Sequence, residues 1–442
     1  MTPDERAQIA AAVLARSRAD AIEVTVESTR TALTRFTHEA VNQNVDTSDT
    51  TVRVRAIVDG RVGIAATNAF DSAALDDVGA RASAIAALAP RESIVPELAG
   101  PAALAAPPGA FAHATADASA PRRAAVAGAI FRWAGEGLWS SGYAMTSSYG
   151  LTIATSAGAQ LAFDGTEAGA NVKMNGVDST GFAERYSCDV GALDGDALGR
   201  EAARIARETR APAAVDPGEW TVILAPAAIG ELLRFLTPHF SAEAYAEGSS
   251  FLTGKLGTPV LGANVTIHDD FAHPLNPGMP FDYEGFPTQR VTLVNAGIAT
   301  DIVTDATWAK RLDRPNTGHA RRAPNSNGPQ SNYSVLAPGS TSLDTLIAQT
   351  KRGLLITRLW YVRIVDQRTA LLTGMTRDGT FLIENGVVKG GVRNMRFNQS
   401  IVTALNDCEL ADTPARTGGY RYSLVTPAVK FNRFHFASAS PY

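Results

Sequence analysis

Cysteine is nearly absent from this chain: Cys188 and Cys408 are the only two among 442 residues. Two cysteines build neither a disulfide framework nor a zinc ribbon. Long apolar runs are missing too, and none approaches the roughly 18–20 residues that a membrane-spanning helix needs. Basic charge is not in excess. The formal net charge of -4 argues against a dedicated nucleic-acid binder. A tight basic pair, Arg321–Arg322, lies beside a turn-rich segment and reads as a solvated loop rather than a phosphate clamp. The opening MTPDERAQ is acidic and polar, unlike a signal peptide, so a cytoplasmic chain is expected. There is no Gly-x-Ser-x-Gly elbow, no Gly-x-x-x-x-Gly-Lys phosphate loop and no clear dinucleotide fingerprint, although residue types alone do not exclude Ser-His-Asp chemistry. No internal repeat, heptad array or low-complexity tract is visible. What remains, 45% hydrophobic and 19% charged, is ordinary globular composition, enough for two or three domains.

Thr2-Pro3-Asp4-Glu5 is a helix start, with a capping hydroxyl, proline in the first turn and acids at the positive end of the dipole. That helix is expected to reach about Arg18. Ile22, Val24 and Val26 alternate with polar residues as in a strand, and a second strand covers Thr31–Thr37. Thr51–Val58 and Val62–Ala66 flank Asp59-Gly60, a strong hairpin signal. Asp71–Leu88 is alanine-rich and helical. Four prolines make Arg91–Pro108 a surface loop or strap. A helix over Arg122–Gly137 precedes strands at Leu138–Ser147, Leu151–Ser156, Gln160–Ala168 and Asn171–Gly176, separated by Gly150, Gly158 and Gly165. Asp194–Arg210 is helical, and APAAVDPG near 211–218 ends the first unit. Beyond Ser241–Gly257, which is polar and glycine-rich, short strands dominate: Val265–His268, Arg290–Asn295, Ile298–Thr304, Leu354–Val365, Thr369–Met375, Gly379–Glu384 and Val387–Val392. This spacing suggests an antiparallel sheet folded on itself, a barrel or sandwich.

The chain is organised around Glu219–Phe240, EWTVILAPAAIGELLRFLTPHF. It reads as a buried strand (Trp220–Leu224), a turn at Ala225–Pro226 and a helix from about Ala227, with Ile229, Leu232, Leu233 and Leu236 at helical spacing. Pro238 ends that helix. A zinc-hydrolase helix needs two imidazoles and usually a glutamate as general base, whereas this one offers Arg234, Phe235 and a lone His239. His268-Asp269-Asp270 has ligand chemistry, but consecutive strand residues point to opposite faces, which favours a structural strand end. His38-Glu39 begins like a zinc helix without a following histidine and reads as surface. Asp282 and Glu284 suit either a paired-carboxylate site or the orientation of the next turn. Arg358, Arg363 and Arg368 recur every fifth residue, fit to line a groove for a peptide carboxylate or main chain or to form surface salt bridges.

FDYEGFPTQR (Phe281–Arg290), VNAGI (Val294–Ile298), NTGHA (Asn316–Ala320), the run Leu354–Val388 and NMRFNQSIVTALNDCE (Asn394–Glu409) together resemble the TldD/TldE (PmbA) family over roughly residues 215–435. The amino-terminal half is similar in layout and weaker in sequence. The resemblance implies an α+β protein in two domains: an amino-terminal α/β domain of antiparallel strands and helices over 1–215, then a mostly antiparallel, barrel-like β domain over 216–442. It also implies a heterodimer of two related chains. The TldD-type chain holds zinc through a His-Glu-x-x-x-His helix and a later cysteine; the TldE-type chain has the same fold without those ligands.

On this sequence Arg234 matches the first histidine of that motif, Phe235 the glutamate and His239 the second histidine. Cys408 falls upstream of the ligand cysteine, and Thr417-Gly418-Gly419 and Leu424–Lys430 contain none. Arginine is permanently protonated and purely a donor, so it does not replace an imidazole. The resemblance is therefore to a TldE-type chain with no catalytic or metal-ligating residue of its own, zinc being expected in its TldD-type partner. His239, His319, Arg358 and Arg363 are the residues expected to contact an extended peptide or peptide-like substrate. His239 can equally interact with the end of its helix, and His319 can equally pin its loop. Neither nucleic acid nor membrane is expected as a partner. Two other functions remain open: membership of a related pair recruited to amide cleavage or tailoring of a natural product, and a non-enzymatic peptide-binding homodimer.

Overall fold

The computed structural model describes residues 1–419 and 423–440. Its first sheet has six antiparallel strands: β1 (Ala21–Thr37), β2 (Ala40–Val58), β3 (Arg61–Thr67), β4 (Trp139–Thr155), β5 (Gln160–Asn175) and β6 (Thr180–Ser187), in the order β3-β2-β1-β4-β5-β6. Helix α1 (Pro3–Arg16) carries a full capping box. The Thr2 hydroxyl accepts from the Glu5 N–H, and the Glu5 carboxylate accepts from the Thr2 N–H. The Asp59-Gly60 hairpin forms as expected, with φ of 51° and 70°, the left-handed pair that a two-residue turn requires.

The expected strand breaks near Gly150 and Gly165 are absent, and β4 and β5 run through both positions. These glycines make room for a neighbour instead of a turn. A Cβ on Gly150 would lie 2.1 Å from the buried guanidinium of Arg6, and one on Gly165 2.4 Å from the Tyr149 ring.

Even-numbered residues of β1, β2, β4 and β5 face helices, and in β3 and β6 the register turns odd-numbered ones, such as Gly63 and Gly181, to that side. Val24 and Val26 pack under α1 and α2 (Ser72–Leu88). Beyond the short α3 (His113–Ala116), Ala170 and Met174 pack under α4 (Ala120–Phe131) and α5 (Gly195–Glu208). Odd-numbered residues of β1, β2, β4 and β5 face the second half of the chain, where Ile153 and Phe163 meet Phe281. This second contact explains why Glu23 and Arg55 are buried although they alternate with the apolar set. Arg55 donates to Glu23 at 2.6 Å and, across the seam between the halves, to Glu284 at 2.6 Å.

The second sheet has thirteen strands. They are β7 (Gly218–Leu224), β8 (Ile267–Asp269), β9 (Val291–Asn295), β10 (Ile298–Ala299), β11 (Ser334–Leu336), β12 (Arg352–Ile356), β13 (Leu359–Asp366), β14 (Leu371–Thr376), β15 (Thr380–Glu384), β16 (Val387–Gly391), β17 (Met395–Ser400), β18 (Cys408–Thr417) and β19 (Leu424–Ala439). Long β19 is the spine, pairing along its length with β11, β18, β7 and β17. The pairing is mostly antiparallel, with parallel contacts at β11–β19 and β7–β12. Strand order runs from β10 to β16 with a branch through β17, β14 and β13, so the sheet folds on itself without closing into a barrel.

The run expected as one strand, Leu354–Val365, turns a corner at Thr357. That hydroxyl donates to the Asp378 and Gly379 carbonyls, and β12 and β13 then pair with different neighbours. Around this sheet lie α6 (Pro226–Leu233), α7 (Ala242–Ala246), α8 (Ala306–Leu312), α9 (Leu343–Ala348) and α10 (Ile401–Leu405). α6 packs its apolar stripe, Ile229, Leu232 and Leu233, into the largest core cluster.

Candidate functional site

α6 ends earlier than its apolar spacing suggests. The Phe235 and Leu236 N–H groups bond to carbonyls three residues back, at 3.0 and 2.8 Å. This tightening closes the helix before a separate 3-10 turn at Thr237–Phe240. Pro238 disfavours helical geometry at the residue before it, and the chain bends there. Arg234 is left at the helix end, held by Glu231 at 2.9 Å and lying over the Phe235 ring at 4.4 Å.

His239 turns inward. It is 0% exposed, its Nδ1 accepts from the Phe251 N–H at 3.3 Å, and burial pushes its pKa down to about 4. A neutral imidazole with Nδ1 accepting carries its proton on Nε2. The donor set of this helix does not fit a zinc ion. Arg234 is a cation, Phe235 has no donor atom and the Nδ1 of His239 is already engaged. Among the described residues no three His, Cys, Asp or Glu side chains group as metal ligands.

A cavity of about 280 Å³ lies between α6, β6 and the start of β13, lined by Phe182, Glu184, Glu231, Arg234, Arg358 and Trp360 among others. Arg358 spans its floor. The guanidinium lies 3.7 Å from the Phe182 ring centre and 4.9 Å from that of Trp360, and it donates to buried Asp378 at 2.6 Å. Desolvation raises the pKa of Glu184, opposed by Arg358, and that of Glu231, opposed by Arg234. The cavity therefore presents two cations and two reluctant carboxylates between aromatic walls.

Arg234 also lines a narrow space with Gln330, Asn332 and Ser423. Those three residues in turn line a larger cavity of about 470 Å³ at the seam between the two sheets. In that cavity Arg416 pairs with Glu167 at 3.0 Å, both nearly buried. Arg322 is not a freely solvated loop residue. It pairs with Glu27 and lies 5.7 Å from the Tyr283 ring centre. The three spaces thus follow one another along the seam.

The remaining expected residues scatter. His319 is 1% exposed. Its Nε2 faces Asp269 Oδ1 at 3.2 Å, off the line of a hydrogen bond, and its Nδ1 lies 3.0 Å from the Thr317 hydroxyl. Asp269 accepts from the Ser331 hydroxyl at 2.7 Å, while His268 meets Thr292 and Asp270 meets Arg290. The three consecutive ligand-type residues thus have separate partners, as strand alternation requires. Asp282 accepts the N–H groups of Glu284, Phe286 and Ala320, so it orients the turn, and burial, then Glu284, pushes its pKa up to about 7. Arg363 lies on an exposed strand over Tyr361 at 4.4 Å, and Arg368 donates to the Gly248 carbonyl. The even spacing of the arginines gathers only Arg358 into the cavity. Glu184 and Arg416 escape sequence reading because β6 and β18 are not among the expected strands, whereas Glu167 lies on an expected strand and only its partner Arg416, 249 residues away, marks it.

Fold and seam together define a two-sheet α+β protein whose cavities lie between its halves. The chain belongs to the PmbA/TldD family: residues 217–438 match the PmbA/TldA metallopeptidase C-terminal domain, and residues 22–86 match PmbA/TldA metallopeptidase domain 1. A metalloprotease TldD homolog of Haemophilus influenzae is 30% identical over 197 residues, 40% of this chain and 41% of that protein. Metalloprotease PmbA of Escherichia coli O157:H7 is 27% identical over 48% of this chain and 46% of its own length. The chain thus spans under half the length of these curated relatives. The crystal structure of TldE from Thermococcus kodakarensis superposes with a TM-score of 0.90 at 21% identity, covering 99% of this chain and 100% of that one. At that identity the likeness is one of fold. No helix among the described residues is long and apolar enough to cross a membrane.

Proposed function

We propose that this chain is the metal-free half of a two-chain peptidase of the TldD/TldE type, and that it supplies one wall of the path taken by an extended peptide. The observation that carries the reading is the helix end at Arg234–His239. A cation and a phenyl ring occupy the first two motif positions, the third is buried, and the surface that remains is an arginine-and-glutamate cavity opening onto the seam. In this reading the two sheets are separate domains meeting near residue 215. Arg358 and Arg234 are the groups that meet peptide carbonyls or carboxylates, since guanidinium forks suit such acceptors. His239 and His319 stand behind the wall and hold it. Hydrolytic metal belongs to the partner chain.

Two measurements test the proposal. Purified alone and without a metal-binding tag, the chain is expected to contain almost no zinc. Co-expressed with a homologous chain that carries His-Glu-x-x-x-His, it is expected to elute as a pair holding one zinc. One zinc per chain in the isolated protein, or no pair, overturns it.

A further inference from the structure

β13 is the outermost strand of its branch, paired with β14 on one side and with no other strand among the described residues. Only Leu359 and Val362 of its eight residues are buried. Trp360, Tyr361, Ile364 and Val365 are 41%, 60%, 39% and 56% exposed, a concentration of large apolar side chains that a surface strand with no partner does not need. Tyr361 is held at φ 55°, which bulky residues seldom adopt, inside a bulge between Trp360 and Arg363. That bulge breaks the row of edge backbone groups, so the ridge suits side-chain contact rather than strand addition.

Charge on this ridge is opposite in sign to that of the whole protein. The ridge and the side chains packed on it carry Arg358, Arg363 and Arg377 against Asp366 and Asp378, in a chain of net charge -4. Arg363 has no ion pair among the described residues. It caps Tyr361 and donates to the Val362 carbonyl at 2.7 Å. Arg377 lies 5.0 Å from the centre of the Trp360 ring. Aromatics and arginine without lysine are the mixture enriched in protein interfaces.

The geometry points to the β13 ridge as the docking surface for a partner protein chain that presents carboxylates to Arg363 and an apolar patch to Trp360, Tyr361, Ile364 and Val365. The occupant is the zinc-bearing partner of the proposed function, on which this inference rests. Trp360 and Arg358 are shared between the ridge and the α6 cavity, so a chain seated here closes that cavity from outside. A second copy is disfavoured. In a two-fold interface each patch meets itself, so the arginines of the ridge would meet a surface of the same charge instead of the carboxylates they lack. Nucleic acid is disfavoured by the aliphatic pair Ile364 and Val365 and by the acidic balance.

The test is association with the co-expressed His-Glu-x-x-x-His chain from the same genome, measured at 50 and 300 mM NaCl. Arg363→Glu and Val365→Glu are each expected to weaken it at least tenfold. The milder Arg363→Gln is expected to flatten its salt dependence, since added salt screens opposed charges at an interface rim. Leu88→Glu, at an 88% exposed position at the end of α2, is expected to change nothing. Thermal melting of each variant separates lost docking from lost folding. A pair indifferent to Arg363→Glu and Val365→Glu overturns the ridge and leaves the subunit reading standing. Absence of any pair overturns both. Self-association of the lone chain, or its capture of a single-stranded oligothymidine, abolished by Arg363→Glu, overturns the choice of occupant.

Discussion

Arg55 is the residue whose environment the sequence concealed most. It lies between Glu23 and Glu284 at 2.6 Å from each, all three nearly buried. Arg55→Met strands two carboxylates in the seam, and removing one member of a buried ion group costs about 3–5 kcal/mol. Urea unfolding at neutral pH is expected to show that loss. His239 makes a pH-dependent contribution. Burial lowers its folded pKa from 6.5 to about 4, so between these values the unfolded state takes up a proton that the folded state refuses. The contribution is fully present above pH 6.5 and is lost as pH falls towards 4, amounting to about 3 kcal/mol at most. His239→Asn keeps an acceptor for the Phe251 N–H and removes the titration, so its stability is expected to fall less between pH 7 and pH 4.5 than that of the unmodified chain. The histidine was conspicuous in the sequence as a motif remnant, but which way it pointed was not legible, because the helix tightens three residues before it.

At the scale of elements, α6 and β18 are locked at Gly230. A Cβ there would meet the Thr417 hydroxyl at 2.3 Å. Alanine is intrinsically better in a helix by about 1 kcal/mol, yet overpacking of this kind costs about 1–3 kcal/mol. Gly230→Ala is therefore expected to be net destabilising, and Gly230→Ala with Thr417→Ala to recover part of the loss; a double-mutant cycle by thermal unfolding checks the coupling. Elements with a strong local signal were readable: the hydroxyl-capped start of α1, the Asp-Gly turn and the α2 helix all stand where their residues place them. β19 was not, because Pro427 interrupts a run that otherwise alternates, and proline counts against an interior strand. It is accommodated opposite Pro414, next to a register shift in β18, an arrangement that depends on the partner strand.

For the whole molecule, the proposed function lies where the two sheets meet. The α6 cavity draws on β6 from one half and on α6 and β13 from the other, so truncation to either half removes it. Arg358→Ala removes the ring stacking and the ion pair to Asp378 together. In the proposed two-chain enzyme it is expected to raise the KM for an extended peptide severalfold with zinc content unchanged, as steady-state kinetics and metal analysis on one preparation would reveal; an unchanged KM removes Arg358 from the peptide path.

The sequence by itself determined the class of fold, the family and the absence of an imidazole pair on the central helix. These rest on local periodicity, turn chemistry and residue identity, all carried within short windows. Tertiary structure alone decided that His239 and His319 are buried, that one arginine of three enters the cavity, and that Glu184 and Glu231 share it. Such facts depend on contacts between segments far apart in the chain, and no local pattern of residues encodes which of those segments will meet.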